Sequence, residues 1–183
     1  MTRAVNTAVS GSGGILQAVY ASLGSSFTAT GSAGATNYWV DLTGLSASIT
    51  PTSTSSRIMI ITNIYMGMAA TSGGYQQLYR ILRNSSTVAG LMGTSEGGRD
   101  PSTGRINHYG SQTLSDIVYR MFMMSGTHID SPASTSALTY SIQIRGYSSV
   151  PTVFVNRSST FQAGGNDYDH VPLSTMTLLE IAG

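Results

Sequence analysis

The sequence predicts an all-β fold, an antiparallel β-sandwich that is jelly-roll-like. Serine, threonine and glycine make up 71 of the 183 residues, whereas lysine is absent and glutamate occurs twice. Threonine, valine, isoleucine and tyrosine favour strands, and glycine and serine favour turns. Short strand-like runs alternate with glycine, serine, proline and asparagine along the chain. This spacing is typical of a two-sheet sandwich.

The first predicted strands lie near the start of the chain. The run ILQAVYAS at 15–22 is one. The runs YWVDL at 38–42 and LSASIT at 45–50 are expected to form a hairpin across Thr43-Gly44. In the second run, alternate residues share one face, as in a half-buried strand. These inward residues are Leu45, Ala47 and Ile49.

The segment RIMIITNIYMGM at 57–68 is apolar on both faces of a strand. One face carries Ile58, Ile60, Ile64, Met66 and Met68, and the other carries Met59, Ile61 and Tyr65. A strand that is apolar on both faces is covered on both. The second cover could be the chain itself or a partner subunit. Together with the methionine-rich MFMM at 121–124, this segment predicts a homo-oligomer.

Further strands are expected towards the end of the chain. They are 75–83, 138–145, 152–157 and 174–183, and the second has the cleanest alternation. Its inward residues are Leu138, Tyr140, Ile142 and Ile144. The run LSDIVYRMFMMS at 114–125 suits a helix or a doubly covered strand, and its β-branched and aromatic residues favour the strand.

Length and composition bound the function. The 183 residues fit one domain, expected at 15–183 after a short arm at 1–14. A domain of this size buries a sufficient core without needing disulfides or bound metals for stability. The absence of cysteine excludes disulfides, thiolate metal sites and cysteine nucleophiles. A net charge of +1 excludes nucleic-acid binding through a strongly basic face. No apolar run reaches 18 residues and no secretory signal is present, so we expect no membrane insertion.

Tyrosines in loops are the candidate ligand-binding residues. Tyrosine among serine, glycine and asparagine is a composition that recognition surfaces use. The candidates are Tyr75, Tyr109, Tyr147 and Tyr168. The alternative is that they are ordinary tyrosines at strand ends, with the hydroxyl in water. Trp39 alternates with its neighbours and is interpreted as a packing residue.

Metal and catalytic motifs are weak. Asp167 and Asp169 are candidate ligands of a hard cation, although their loop lacks the EF-hand spacing. The histidines have no zinc-binding spacing, and no carboxylate pair has the spacing that glycoside hydrolysis needs. The histidines are His108, His128 and His170, and the acids compared for such a pair are Asp100, Asp116, Asp130 and Glu180. The glycine-rich 93–105 is neither a phosphate-binding nor a dinucleotide-binding loop and is interpreted as a flexible, arginine-bearing loop. We expect no cofactor.

Several segments resemble a domain of tailed bacteriophages, particularly marine and cyanobacterial ones. They are GILQAVYA, LTGLSASITPTSTSSRIMIITNI, THIDSPASTSALTYSIQIR, VFVNRSST and the closing STMTLLEIAG. Such domains typically carry G-L-x-V-x-I-T-P-x-S-x-S-S-K-I and D-S-P-A-T-T-S-A-x-T-Y, and end in S-T-I-T-L-M-E-I. The resemblance covers 14–183, and it departs at Arg57, where lysine is usual.

The resemblance implies a trimeric, non-enzymatic β-sandwich knob on the virion exterior, of the tail-fibre type. Because only residues 1–14 precede the knob, a capsid decoration or cement protein is a second expectation, with the arm reaching across neighbouring capsid subunits. A third is the tip of a tail fibre that binds a host receptor or glycan. In each case the partners are other virion proteins, and the chain is made and folded in the host cytoplasm.

Overall fold

The fold is built almost entirely of β-strands. A computed structural model describes residues 3–5, 14–30, 38–68, 75–108, 118–146, 152–160 and 170–183. The strands are β1 (Arg3–Val5), β2 (Ile15–Leu23), β3 (Phe27–Thr30), β4 (Val40–Ile49), β5 (Arg57–Gly67), β6 (Tyr75–Arg83), β7 (Ser86–Thr87), β8 (Gly104–His108), β9 (Met121–Asp130), β10 (Leu138–Gly146), β11 (Thr152–Val155) and β12 (Ser174–Ile181). In this part of the chain, one 3-10 turn at Ala89–Leu91 is the only helical element.

The strands form two antiparallel sheets. The larger has the order β1-β2-β12-β5-β11-β3, and β9 also pairs with β5. The smaller has the order β4-β10-β6-β7, and β8 also pairs with β6. The eight principal strands therefore form two four-stranded blocks, β2-β12-β5-β9 and β4-β10-β6-β8. This is the strand order of a jelly roll, so the predicted sandwich is confirmed.

The hydrophobic core lies between the facing sides of the two sheets. Its residues come from alternate positions of each strand, because side chains point to opposite faces along a strand. The inward sets predicted for 45–50, 57–68 and 138–145 are all buried, with exposed fractions of 0–4%. Thr62, which interrupts the apolar pattern of β5, is also fully buried.

The predicted hairpin across Thr43-Gly44 is wrong, because 40–49 form one continuous strand. The pairing of β4 with β10 shifts register here, as in a β-bulge: Ser46 lies opposite Ser141, but Asp41 lies opposite Gln143. Gly44 has a φ of +90°, which explains why a turn-like residue pair can stand within a strand. The bulge leaves Leu42 and Leu45 both buried on either side of two exposed residues.

Two other predictions need adjustment. In the run 114–125, strand begins only at Met121, after a turn at 118–119, and 114–117 lie outside the described residues. The glycine-rich 93–105 ends in the first residues of β8, so part of the predicted loop is strand. Pairing explains both, since β9 aligns with the whole apolar length of β5 and β8 with β6.

Residues near the two ends of the chain lie side by side. β1, within the predicted arm, pairs with β2, and β2 pairs along its length with β12. The amide of Ala182 donates to the carbonyl oxygen of Gly14 at 3.1 Å. The division into an arm and a domain stays a prediction. Among the described residues no helix is suited to crossing a membrane.

We predict that Gly44→Ala lowers the free energy of unfolding by about 1–2 kcal/mol, because an L-residue is strained at this φ. The new Cβ would also lie 3.0 Å from Cδ1 of Leu23. Gly90→Ala is the matched control, since no atom lies within 4 Å of its Cβ position. Urea denaturation of both variants measures the difference, and equal stabilities would contradict the bulge.

Candidate functional site

Most of the residues predicted to bind a ligand or a metal ion lie outside the described part of the chain. Tyr75 begins β6, and only its backbone is described. The candidates that lie outside the described residues are Tyr109, Tyr147, Tyr168, Asp167 and Asp169. Their roles stay predictions.

The histidines do not form a metal centre in the described part of the chain, where no three histidine, aspartate or glutamate side chains converge. His128 points from β9 towards the smaller sheet, and its Nε2 lies 3.4 Å from the hydroxyl of Tyr79. Burial lowers the pKa of His128, which favours the neutral ring. His170 is exposed, and His108 ends β8 with only its backbone described.

Asp130 joins the two sheets at one end of the sandwich. It lies on β9 with an exposed fraction of 5%. Nη1 of Arg83, on β6, donates to both carboxylate oxygens at 2.7 and 2.9 Å. The hydroxyl of Tyr140, on β10, donates at 2.7 Å, and burial followed by the nearby carboxylate raises the pKa of this tyrosine. The carboxylate therefore ties a strand of one sheet to two strands of the other.

Glu180 is a second buried carboxylate, with no exposed surface. It lies on β12 and accepts hydrogen bonds from Gln17 Nε2 at 2.6 Å, from the amide and hydroxyl of Thr52 at 2.6 and 2.7 Å, and from the hydroxyl of Ser56 at 2.7 Å. Burial by itself raises the pKa of Glu180, but these hydrogen bonds outweigh burial and hold the pKa below its usual value. The carboxylate thus fixes the β4–β5 turn onto the larger sheet.

The outer face of the larger sheet carries no charge over three adjacent strands, β12, β5 and β9. Between Met59 and Tyr65 of β5, the outward residues of β5, β9 and β12 are apolar or uncharged polar side chains. We call this surface the neutral face: Met59, Ile61, Asn63, Tyr65, Met123, Ser125, Thr127, Ile129, Thr175, Thr177 and Leu179.

Cross-strand rows give the neutral face its pattern. Met59 lies between Ile129 and Leu179, which makes one end apolar, and Tyr65 lies beside Met123 at the other. Threonine, serine and asparagine fill the middle. Met123 and Ile129 have exposed fractions of 52% and 42%, which are high for large apolar side chains.

The outer face of the smaller sheet is different, because arginines concentrate there. One row crosses β6, β10 and β4 through Arg80, Gln143 and Asp41. Nε and Nη2 of Arg80 donate to Oε1 of Gln143 at 2.8 and 2.6 Å, and Nε2 of Gln143 donates to Asp41 at 2.7 Å. The Arg80 guanidinium also lies 4.3 Å from the ring centroid of Trp39, a cation–π contact that fixes it in place.

The next row carries two more arginines. Leu78 of β6 lies between Arg105 of β8 and Arg145 of β10. Nη1 of Arg145 lies 2.5 Å from Oδ2 of Asp100, which is 49% exposed. Burial lowers the pKa of Arg80; the carboxylate of Asp41 opposes this shift, and the charge of Arg145 in the next row adds to it.

A tight turn adds a fourth arginine. Gly97 and Gly98 both have positive φ, 56° and 75°, and the amide of Arg99 donates to the carbonyl oxygen of Glu96 at 3.1 Å. This geometry is that of a two-residue hairpin turn, which glycine pairs favour. The turn places Arg99 beside the row of Arg105 and Arg145, with which it lines one depression.

We call this second surface the arginine face: Trp39, Leu78, Arg80, Arg99, Asp100, Arg105 and Arg145. It holds two adjoining depressions that share Asp100. The larger, of about 430 Å³, has Trp39, Met92 and Pro101 in its wall, and the smaller, of about 240 Å³, has three of the arginines.

Sequence reasoning missed the arginine face. The sequence shows that the loop 93–105 bears arginines but not that it belongs to a site, and it predicts a packing role for Trp39. The positions of Arg80 and Arg145 carry no motif, because what joins them is the pairing of β6 with β10. The one available signal is the arginine content of that loop.

Comparison of the chain with protein-family models gives no match, and comparison with curated proteins gives none either.

We predict that Glu180→Gln lowers the free energy of unfolding at pH 7 by about 2 kcal/mol, because hydrogen bonds to a carboxylate are stronger than those to an amide. The lowered pKa of Glu180 means that its stabilisation is present above the pKa of an unfolded glutamate and is lost as pH falls through the folded pKa. The variant should therefore lose less stability on acidification than the wild type. Thermal denaturation between pH 7 and pH 3 measures this.

Exposed Glu96 provides the control, and Glu96→Gln should leave both the stability and its pH profile unchanged. A wild-type pH profile retained in Glu180→Gln would show that Glu180 does not carry this acid sensitivity.

Proposed function

We propose that this protein is a non-enzymatic structural protein on the exterior of a tailed-phage virion, either a capsid decoration protein or a tail-fibre-type knob. In this proposal it forms a homotrimer through the neutral face. The proposal combines the resemblance of segments over 14–183 with a surface suited to association.

The observation that carries the proposal is the absence of charge on the neutral face, where Met123 and Ile129 are exposed. Depletion of charged residues is typical of the centre of protein interfaces. Three strands at a spacing of ~4.8 Å and seven residues along β5 give a footprint of ~330 Å². That footprint suits the centre of a standard interface, which covers about 800 Å² on each partner.

A second copy of this chain is the occupant that fits best. In a cyclic trimer, each subunit contacts the next through a different part of its surface, so the neutral faces of the three copies would pack around the threefold axis. A strongly charged partner would bury its charges against a face that offers no opposite charge. Burial would also cover the second side of β5, which the smaller sheet leaves half-buried at Met59, Ile61 and Tyr65.

The fold is compatible with this role and with others. Jelly rolls occur in viral capsid proteins and in lectins. A fold alone does not define function, so the proposal depends on the neutral face and on the sequence resemblance.

We predict that the purified protein is a trimer at micromolar concentration, with three times the 19.2 kDa mass of one chain. The double variant Met123→Glu/Ile129→Glu should be monomeric, because association would bury two unpaired carboxylates in each subunit. Light scattering coupled to size exclusion measures both masses.

The matched control is Ser48→Glu, an exposed outward position on the smaller sheet. It should remain trimeric, and circular dichroism should show β structure in all three proteins. A monomeric wild type would overturn the proposed assembly, and a folded, trimeric double variant would exclude the neutral face from it.

We further predict that the protein is present in purified phage particles. Quantitative mass spectrometry against the major capsid protein gives its copy number. Hundreds of copies indicate capsid decoration, whereas a handful to a few dozen indicate a tail or fibre component. Absence from particles would contradict the virion role.

A further inference from the structure

We propose that the arginine face is a binding site for an acidic saccharide, with the acid group on Arg99, Arg105 and Arg145 and a sugar ring against Trp39 and Pro101. This site is separate from the neutral face, so the inference goes beyond the proposed assembly and does not require it.

The charge on this face favours an anion. The smaller depression has three arginines and one aspartate in its wall. Arg145 is already paired with Asp100, but neither Arg99 nor Arg105 lies within 4.0 Å of a carboxylate of the described residues. Both are exposed, and planar guanidinium groups bind carboxylate or sulfate oxygens through paired hydrogen bonds.

The geometry gathers these charges at one place. Arg105 and Arg145 flank Leu78 on neighbouring strands, so their Cα atoms are about 10 Å apart, two strand spacings. Long side chains from these positions can reach a single acid group above Leu78. The tight glycine turn fixes the backbone from which Arg99 extends.

The larger depression favours a ring over a simple anion. Trp39, Met92 and Pro101 provide apolar surface, while Arg80 and Asp100 provide polar groups. Binding sites combine such apolar surface with a few placed polar groups that fix orientation. Because Asp100 lines both depressions, a ring in the larger one would place a substituent at the arginines of the smaller one. An inorganic anion would fill only the smaller depression.

A polymeric nucleic acid fits less well. Its affinity depends on many phosphate contacts along an extended basic surface. The arginine face is compact, has Asp100 between its two depressions and Asp41 beside it, and belongs to a chain with a net charge of +1.

Calorimetric titration of the full-length protein tests the proposal with four probes: galacturonic acid tetrasaccharide, a sulfated galactose tetrasaccharide, the uncharged galactose tetrasaccharide and inorganic sulfate. We expect at least one acidic tetrasaccharide to bind with a Kd of about 1 mM or below. The two acidic probes distinguish carboxylate from sulfate as the acid group. The uncharged tetrasaccharide and inorganic sulfate should each bind at least about tenfold more weakly, since each lacks one half of the interaction.

The double variant Arg99→Gln/Arg105→Gln should weaken acidic tetrasaccharide binding at least about tenfold. Arg57→Gln is the matched control, because Arg57 is an exposed arginine on the larger sheet, and it should leave the Kd unchanged. Loss of binding in the double variant with unchanged circular dichroism supports the site.

Three results would overturn the inference: no tetrasaccharide binding at about 10 mM, inorganic sulfate binding as tightly as the acidic tetrasaccharides, or equal weakening by the Arg57 control. Light scattering on the same samples separates this inference from the proposed function. A trimer that binds no saccharide leaves the assembly proposal standing, and a monomer that binds the acidic probe leaves the saccharide site standing.

Discussion

The need to cover both faces of β5 shapes the rest of the molecule. Its inward residues are fully buried against the smaller sheet, and β12, β9 and β11 all hydrogen-bond to its backbone. Its outward residues, Met59, Ile61 and Tyr65, are only half-buried. Burial of apolar surface is the main favourable contribution to folding and association. One strand thus carries both fully buried core residues and half-buried residues of the neutral face.

Two buried carboxylates lie near the start of β5. Asp130 and Glu180 lie on either side of Ile58 in a single cross-strand row. Each is surrounded by donors, Arg83 and Tyr140 for the first and Gln17, Thr52 and Ser56 for the second. A buried carboxylate is tolerated when hydrogen bonds replace its water. Asp130 thus joins strands of the two sheets, and Glu180 holds the β4–β5 turn.

The sequence predicted the sandwich and its core because alternation along a strand is a local signal, as at Leu138, Tyr140, Ile142 and Ile144. It did not predict the bulge at Gly44, since a glycine that bends a strand looks like one that ends it. Neither face could be assembled from the sequence. The row through Arg105, Leu78 and Arg145 depends on pairing between segments far apart in the chain, and nothing local specifies that register.

The pairing of β2 with β12 places Gly14 next to Ala182, so the start of β2 and the end of β12 lie side by side in the larger sheet. A force that pulls these two residues apart would break the hydrogen bonds between β2 and β12 one after another, starting at Ile15 and Ile181. Because these hydrogen bonds would be loaded one at a time and not all together, the pairing of β2 with β12 offers little resistance to such a force.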